Sequence, residues 1–182
     1  MNQELYGTEY WNGRTNLELK HLLLANNFIK YFSLPINVDV LDYGCGNGTL
    51  VHALRELNVD AIGYEPSDVA RKNAYGLAKN NIFGSGNKQI KKVFDLVLCI
   101  DVLEHIDVRD IASTIQDIYD NTTGDAVFSI CFEDDPNFNE DPTHVTKRSK
   151  EWWVDVLTIF GFKVREAPKE WLWGNQFLIC EK

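Results

Sequence analysis

Three groups of residues in this chain have types and spacings that can do chemistry. The first is Asp42-Tyr43-Gly44-Cys45-Gly46-Asn47-Gly48, a glycine turn with a carboxylate two residues ahead of it. Glycine lets the backbone turn tightly and approach a ligand with no Cβ in the way. The pattern is G-x-G-x-G, whereas the dinucleotide fingerprint G-x-G-x-x-G opens a helix N-terminus to a pyrophosphate. Asp42 would sit badly beside a pyrophosphate and well beside an ammonium group. The second group is Glu65 with Pro66 and Ser67, at the end of the next apolar run. An acid at that strand end accepts hydrogen bonds from ribose hydroxyls. The third is Asp101-Val102-Leu103-Glu104-His105, with His144 farther along. Histidine titrates near neutrality, which makes His105 and His144 the candidate general bases for an acceptor that carries a proton.

The elements that must position these groups can be read from periodicity. Val38, Val40 and Leu41 form a short buried strand before the glycines, and Leu50, Val51, Leu54 and Leu57 fall at helical spacing after them. A helix capped by Asn16 runs to about Phe32, and Ser33-Leu34-Pro35 ends it. A second strand at 61–65 leads into a helix to about Lys79, and a weak third strand covers 81–85. Residues 93–100 are the clearest buried strand. A long helix then carries Val108, Ile111, Ile115, Ile118 and Tyr119 on one face and closes near Gly124. A fifth strand at 125–132 is followed by a long acidic loop, 133–147, which holds His144; loops of this length are usually functional. Ser149 caps a helix with Trp152, Trp153, Val156, Leu157 and Phe160 facing inward, and two closing strands cover 162–167 and 176–180.

Residues 39–50 and the run Phe94-Asp95-Leu96-Val97-Leu98-Cys99-Ile100-Asp101-Val102-Leu103-Glu104-His105-Ile106 resemble two motifs of the class I S-adenosylmethionine-dependent methyltransferases. The resemblance covers about residues 36–182 and implies an α/β fold. Its sheet is doubly wound, mostly parallel and seven-stranded, Rossmann-like, with the last strand antiparallel. The implied cofactor is S-adenosylmethionine (SAM), and the implied reaction is methyl transfer to an oxygen or nitrogen of a small-molecule acceptor. Asp42, Gly44, Cys45, Gly46, Glu65, Pro66, Asp101 and Val102 then border the cofactor. Ser85 stands near where similar enzymes carry an acid for the adenine. In similar enzymes an aromatic arm folds over the pocket; here Tyr10 and Arg14 occupy that arm, with Arg14 set to meet the cofactor's carboxylate. The expected organisation is one structural domain, with 1–35 as arm and covering helix and 36–182 as the cofactor-binding part.

Asp101, Glu104, His105 and His144 also resemble a metal-binding pattern, Glu-x-x-Glu-His plus a distant His. It occurs in two branches of the superfamily, one methylating catechols in ubiquinone biosynthesis, the other the terminal 2′-hydroxyl of small RNAs. Here Asp replaces the first Glu and reaches less far, and Asp-x-x-Glu-His is widespread in metal-free relatives. No metal is therefore expected. Two alternatives stand beside the leading reading: a metal-dependent hydroxyl methyltransferase, and a cofactor-binding subunit without acceptor chemistry.

Composition narrows the partners. The chain of 182 residues has a net charge of −9, which argues against a broad nucleic-acid face, since phosphate contacts need clustered Lys and Arg. No apolar run approaches the length of a membrane span. The N-terminus lacks the basic and apolar regions of a signal peptide. The four cysteines, 45, 99, 131 and 180, show no zinc-site spacing. Buried free thiols, and with them a cytoplasmic location, are the expectation.

Overall fold

A computed structural model describes residues 17–35, 37–84, 93–171 and 176–182. The apolar runs become strands and the 3.6-residue patterns become helices on both sides of them. In chain order the elements are α1 (Leu17–Phe32), β1 (Asp39–Tyr43), α2 (Thr49–Glu56), β2 (Asp60–Tyr64), α3 (Asp68–Lys72) and β3 (Ile82–Phe83). Then follow β4 (Phe94–Ile100), α4 (Val108–Asn121), β5 (Thr122–Ser129), α5 (Lys150–Ile159), β6 (Lys163–Glu166) and β7 (Phe177–Glu181). Short 3-10 turns occupy Gly76–Asn80, Leu103–His105 and Pro136–Asn139.

The seven strands form one sheet in the order β3-β2-β1-β4-β5-β7-β6. From β3 to β5 neighbours run parallel, and β7 is antiparallel to both β5 and β6. This is the doubly wound sheet with an antiparallel last strand that the motifs imply. Alternate strand residues point to opposite faces, and two cores result. Val40, Ala61, Leu96, Leu98, Val127 and Ile179 pack with α1 and α2, whose Leu24, Phe28, Leu50 and Leu54 are buried. Leu41, Val97, Cys99, Phe128 and Leu178 pack with α4 and α5 through Ile111, Ile115, Ile118, Trp153 and Leu157. Strand order reverses between β1 and β4, and open α/β sheets bind ligands in the crevice at the carboxyl ends of such strands.

Several boundaries differ from the sequence reading. The helix after β2 stops at Lys72, and a 3-10 turn follows, opened by Gly76 at φ 47°. The helix expected to close at Gly124 ends at Asn121, and β5 begins at Thr122. Gly124 is thus a strand residue, where a Cβ would stand 2.5 Å from the Asp95 carbonyl. Val108, counted on the apolar face, is exposed. Trp153 and Trp171 are buried, and the Trp171 ring meets Phe28 and Phe177 edge-on at 5.2 and 5.6 Å. No described helix is long and apolar enough to cross a membrane.

Candidate active site

The glycine turn leaves the end of β1 with Gly44, Gly46 and Gly48 all at positive φ (79°, 56° and 78°), a region that side chains with a Cβ rarely adopt. It is tied to the neighbouring strand: Gly44 N–H and Cys45 N–H both donate to the Tyr64 carbonyl, at 2.8 and 3.0 Å. Glu65, next in the chain, accepts from Gly46 N–H at Oε2 (2.9 Å) and from Ser67 N–H at Oε1 (2.7 Å). Each carboxylate oxygen has a second lone pair beyond those bonds. Arg71 donates to the Glu65 backbone carbonyl. Pro66 is half-buried behind Glu65, and Cys45 packs against Gly63, where a Cβ would be 2.4 Å from its sulfur.

Asp42 lies beside this turn and is buried. Burial, and then the negative charge of Glu65, push its carboxyl up to about 8. Glu65 is also raised, by burial, against the pull of its two backbone donors and Arg71. Among the described residues no cationic side chain forms an ion pair with Asp42.

A second acidic group stands at the end of β4. Asp101 takes a left-handed backbone at φ 54°. It is held there by β5: Asp101 N–H donates to the Ser129 carbonyl at 3.0 Å, and Ser129 Oγ donates to Asp101 Oδ1 at 2.6 Å. This bend sends Val102 against Gly44. The 3-10 turn after it buries Glu104 completely. Glu104 Oε1 accepts from Cys131 N–H at 3.0 Å, while Oε2 is buried with no hydrogen-bond partner among the described residues. Burial and then the charge of Asp101 raise the Glu104 carboxyl.

The long loop after β5 folds onto this turn. Val145 and Thr146 N–H groups donate to the Glu104 carbonyl at 2.8 and 3.0 Å. His144 is half-buried, its Nδ1 2.9 Å from the Phe138 carbonyl, and its ring is 4.7 Å from that of His105. Ligand-capable atoms of Glu104, His105 and His144 lie within 4.8 Å of one another. Burial, then the charges of Glu104, Asp42 and Asp101, raise the Cys99 thiol on β4, which thus feels both acidic groups.

The structure therefore brings together Asp42, Gly44, Cys45, Gly46, Glu65 and Pro66 around the turn. Asp101, Val102, His105 and His144 gather at the end of β4. Tyr10, Arg14 and Ser85 lie outside the described residues. Sequence reasoning had Glu104 only as part of a metal pattern, and missed Asp141 and Thr143. Thr143 Oγ1 is 2.7 Å from His105 Nδ1; the available signal was Asp-x-Thr directly ahead of His144. Cys99, Cys131 and Cys180 are buried, Cys45 is half-buried, and all four are free thiols.

Residues 14–181 match a family model described as a methyltransferase domain. A ubiquinone biosynthesis O-methyltransferase of Rickettsia canadensis is 32% identical over 112 residues, 54% of this chain and 48% of that protein. The chain thus spans about half the length of the curated relatives it matches. Among solved structures, a SAM-dependent methyltransferase from Archaeoglobus fulgidus superposes with a TM-score of 0.66 at 19% identity, covering 89% of this chain and 94% of that one. A magnesium protoporphyrin IX methyltransferase from Synechocystis PCC 6803 with bound SAM gives 0.65 at 17% identity, over 90% and 80%. At these identities the likeness is one of fold.

Proposed function

We propose that this chain, which belongs to the methyltransferase domain family, binds SAM at the glycine turn and transfers its methyl group to an oxygen or nitrogen of a small molecule. The observation that carries the reading is a buried acidic pair at the glycine turn, Asp42 and Glu65, with burial and the charge of Glu65 both raising the Asp42 carboxyl. An ammonium or sulfonium group placed there relieves both influences, and SAM carries both cations. In this reading Glu65 keeps its backbone donors and takes the ribose hydroxyls on its remaining lone pairs. Gly44, Cys45 and Gly46 supply the close backbone wall, and Pro66, Asp101 and Val102 its edges. Tyr10, Arg14 and Ser85 remain proposed contacts, with residues 1–35 as the cover and 36–182 as the binding domain. The relatives named as O-methyltransferases favour oxygen as the accepting atom.

Methyl transfer from a sulfonium is an in-line displacement, and the protein's task is to hold nucleophile and methyl carbon close and collinear. A hydroxyl acceptor must also lose a proton, and His105 and His144 are the bases proposed for it. Calorimetric titration of the purified chain with SAM, its demethylated product and NAD tests the cofactor assignment. SAM and the product are expected to bind; equal or tighter binding of NAD overturns the reading.

One observation favours a second reading. Glu104, with a buried oxygen that has no hydrogen-bond partner among the described residues, and the two imidazoles form a donor set suited to a divalent cation. The donor types fit, and such an ion would supply Lewis-acid activation of a hydroxyl. Calorimetry with Mg²⁺ and Mn²⁺ on the wild type and Glu104→Gln separates the readings: saturable binding lost in the variant favours the ion, and its absence in both leaves the metal-free reading.

A further inference from the structure

Thr143 Oγ1 sits between two groups, 2.5 Å from Asp141 Oδ1 and 2.7 Å from His105 Nδ1. A hydroxyl has one proton to give. Asp141 Oδ1 also accepts from Thr143 N–H at 2.8 Å, so an Asp-x-Thr turn fixes the hydroxyl in place. Thr143 is buried, and its position is further set by Val145 and Thr146, whose N–H groups are held by the Glu104 carbonyl. Burial would raise the Asp141 carboxyl, but hydrogen bonds from Thr143, and then His105 and His144, hold it below its ordinary value. Asp141 is therefore an ionised acceptor. Were the hydroxyl proton turned to His105, two oxygens would face each other at 2.5 Å with lone pairs only. The proton must go to Asp141, and the hydroxyl must accept from the imidazole.

We propose that Asp141 and Thr143 are positioning residues that fix His105 in the tautomer with its proton on Nδ1, leaving Nε2 as the basic nitrogen. The hydroxyl works as a one-way link between carboxylate and ring: its proton goes to Asp141, so it can only accept from His105. His144 is set the same way by a different acceptor, because the Phe138 carbonyl at its Nδ1 can only accept. Both rings then carry their lone pair on Nε2. That His105 Nε2 receives the acceptor's proton rests on the methyl-transfer reading; the tautomer itself does not.

The test is long-range ¹H–¹⁵N NMR on the 182-residue chain labelled at its four histidines, at a pH where the imidazoles are neutral and without added cofactor. His105→Asn identifies the resonance. The wild type is expected to show Nδ1–H with an unprotonated Nε2. Thr143→Ser keeps that pattern. Thr143→Val, which fills the same space without a hydroxyl, loses it in favour of the Nε2–H form, while His21 and His52 stay unmoved. A wild-type His105 protonated on Nε2 overturns the proposal, whatever becomes of the variants. So does an unchanged Nδ1–H pattern in Thr143→Val. Since neither SAM nor an acceptor is present, this result and the SAM titration succeed or fail separately.

Discussion

The backbone N–H of Gly46 donates to Glu65 Oε2 at 2.9 Å, so the acid at the end of β2 also fastens the glycine turn at the end of β1. Glu65→Ala therefore removes two things: an acceptor for the cofactor's ribose and the anchor of the turn. Losing hydrogen bonds to a charged group costs about 1.5–3 kcal/mol. SAM affinity measured by calorimetry is expected to fall by about that amount. The melting temperature should also fall, since Gly46 and Ser67 N–H groups lose their partner. Unchanged affinity would remove Glu65 from the ribose.

Asp42 makes a pH prediction. Its carboxyl is raised to about 8 in the ligand-free fold, against about 3.9 in an unfolded chain. The folded state thus binds the extra proton, and the stabilisation from this group is full below the unfolded value and lost as pH rises towards 8. Ligand-free protein should melt lower at pH 8 than at pH 6. A cationic ligand prefers the ionised carboxylate, so binding of SAM below pH 8 should release protons, read as a dependence of the calorimetric heat on buffer ionisation. Asp42→Asn should abolish the proton release and lessen the pH dependence of melting, of which Glu104, also raised by burial, keeps a share. Persistence of the proton release in that variant would assign it to another group.

The strands were legible because parallel strands are covered on both faces and read as continuous apolar runs, as in Phe94–Ile100. Helix ends were less so. The short α3 stops where Ala74-Tyr75-Gly76 turns the chain, a break that apolar periodicity alone carries past. At the site, the placement of the glycine turn and Glu65 was legible because each directly follows the strand it terminates. Spacing alone did not tell which acid of Asp101-x-x-Glu104 turns inward. That depends on the left-handed bend at Asp101, which β5 imposes through Ser129, and it leaves Asp101 exposed and Glu104 buried. Asp-x-Thr ahead of His144 marks a local turn, but the contact of Thr143 with His105 joins residues 38 apart in sequence, and no local pattern reveals it.

Gly44 and Val102 give a packing prediction. A Cβ on Gly44 would stand 2.6 Å from Val102 Cγ2, and its φ of 79° is itself unfavourable for any other residue. Gly44→Ala should destabilise the fold by about 1–3 kcal/mol from the backbone and a further ~1–3 kcal/mol from overlap. Adding Val102→Ala removes the overlap and leaves the backbone strain. In denaturant unfolding the double variant should therefore be more stable than the sum of the single ones, by roughly 0.5–3 kcal/mol. Simple additivity would mean that the two residues do not meet.

The last prediction concerns the loop that carries His144. The glycine turn and the ends of β1 and β2 serve the donor in the proposed reading, so groups that act on the acceptor must come from what covers them. Residues 133–147 do cover the end of β4: their backbone is bonded to the Glu104 carbonyl, and they deliver His144 to within 4.7 Å of the His105 ring. The Phe138 carbonyl holds His144 at Nδ1, and the Phe138 ring lies 5.0 Å from the imidazole, so the side chain is packed in place before any ligand arrives. His144→Ala should lower kcat on a hydroxyl acceptor by about 100-fold or more, the scale of a lost general base, and leave SAM affinity unchanged. A normal turnover rate would take His144 out of the chemistry. A large loss of SAM affinity would place it on the donor side of the pocket.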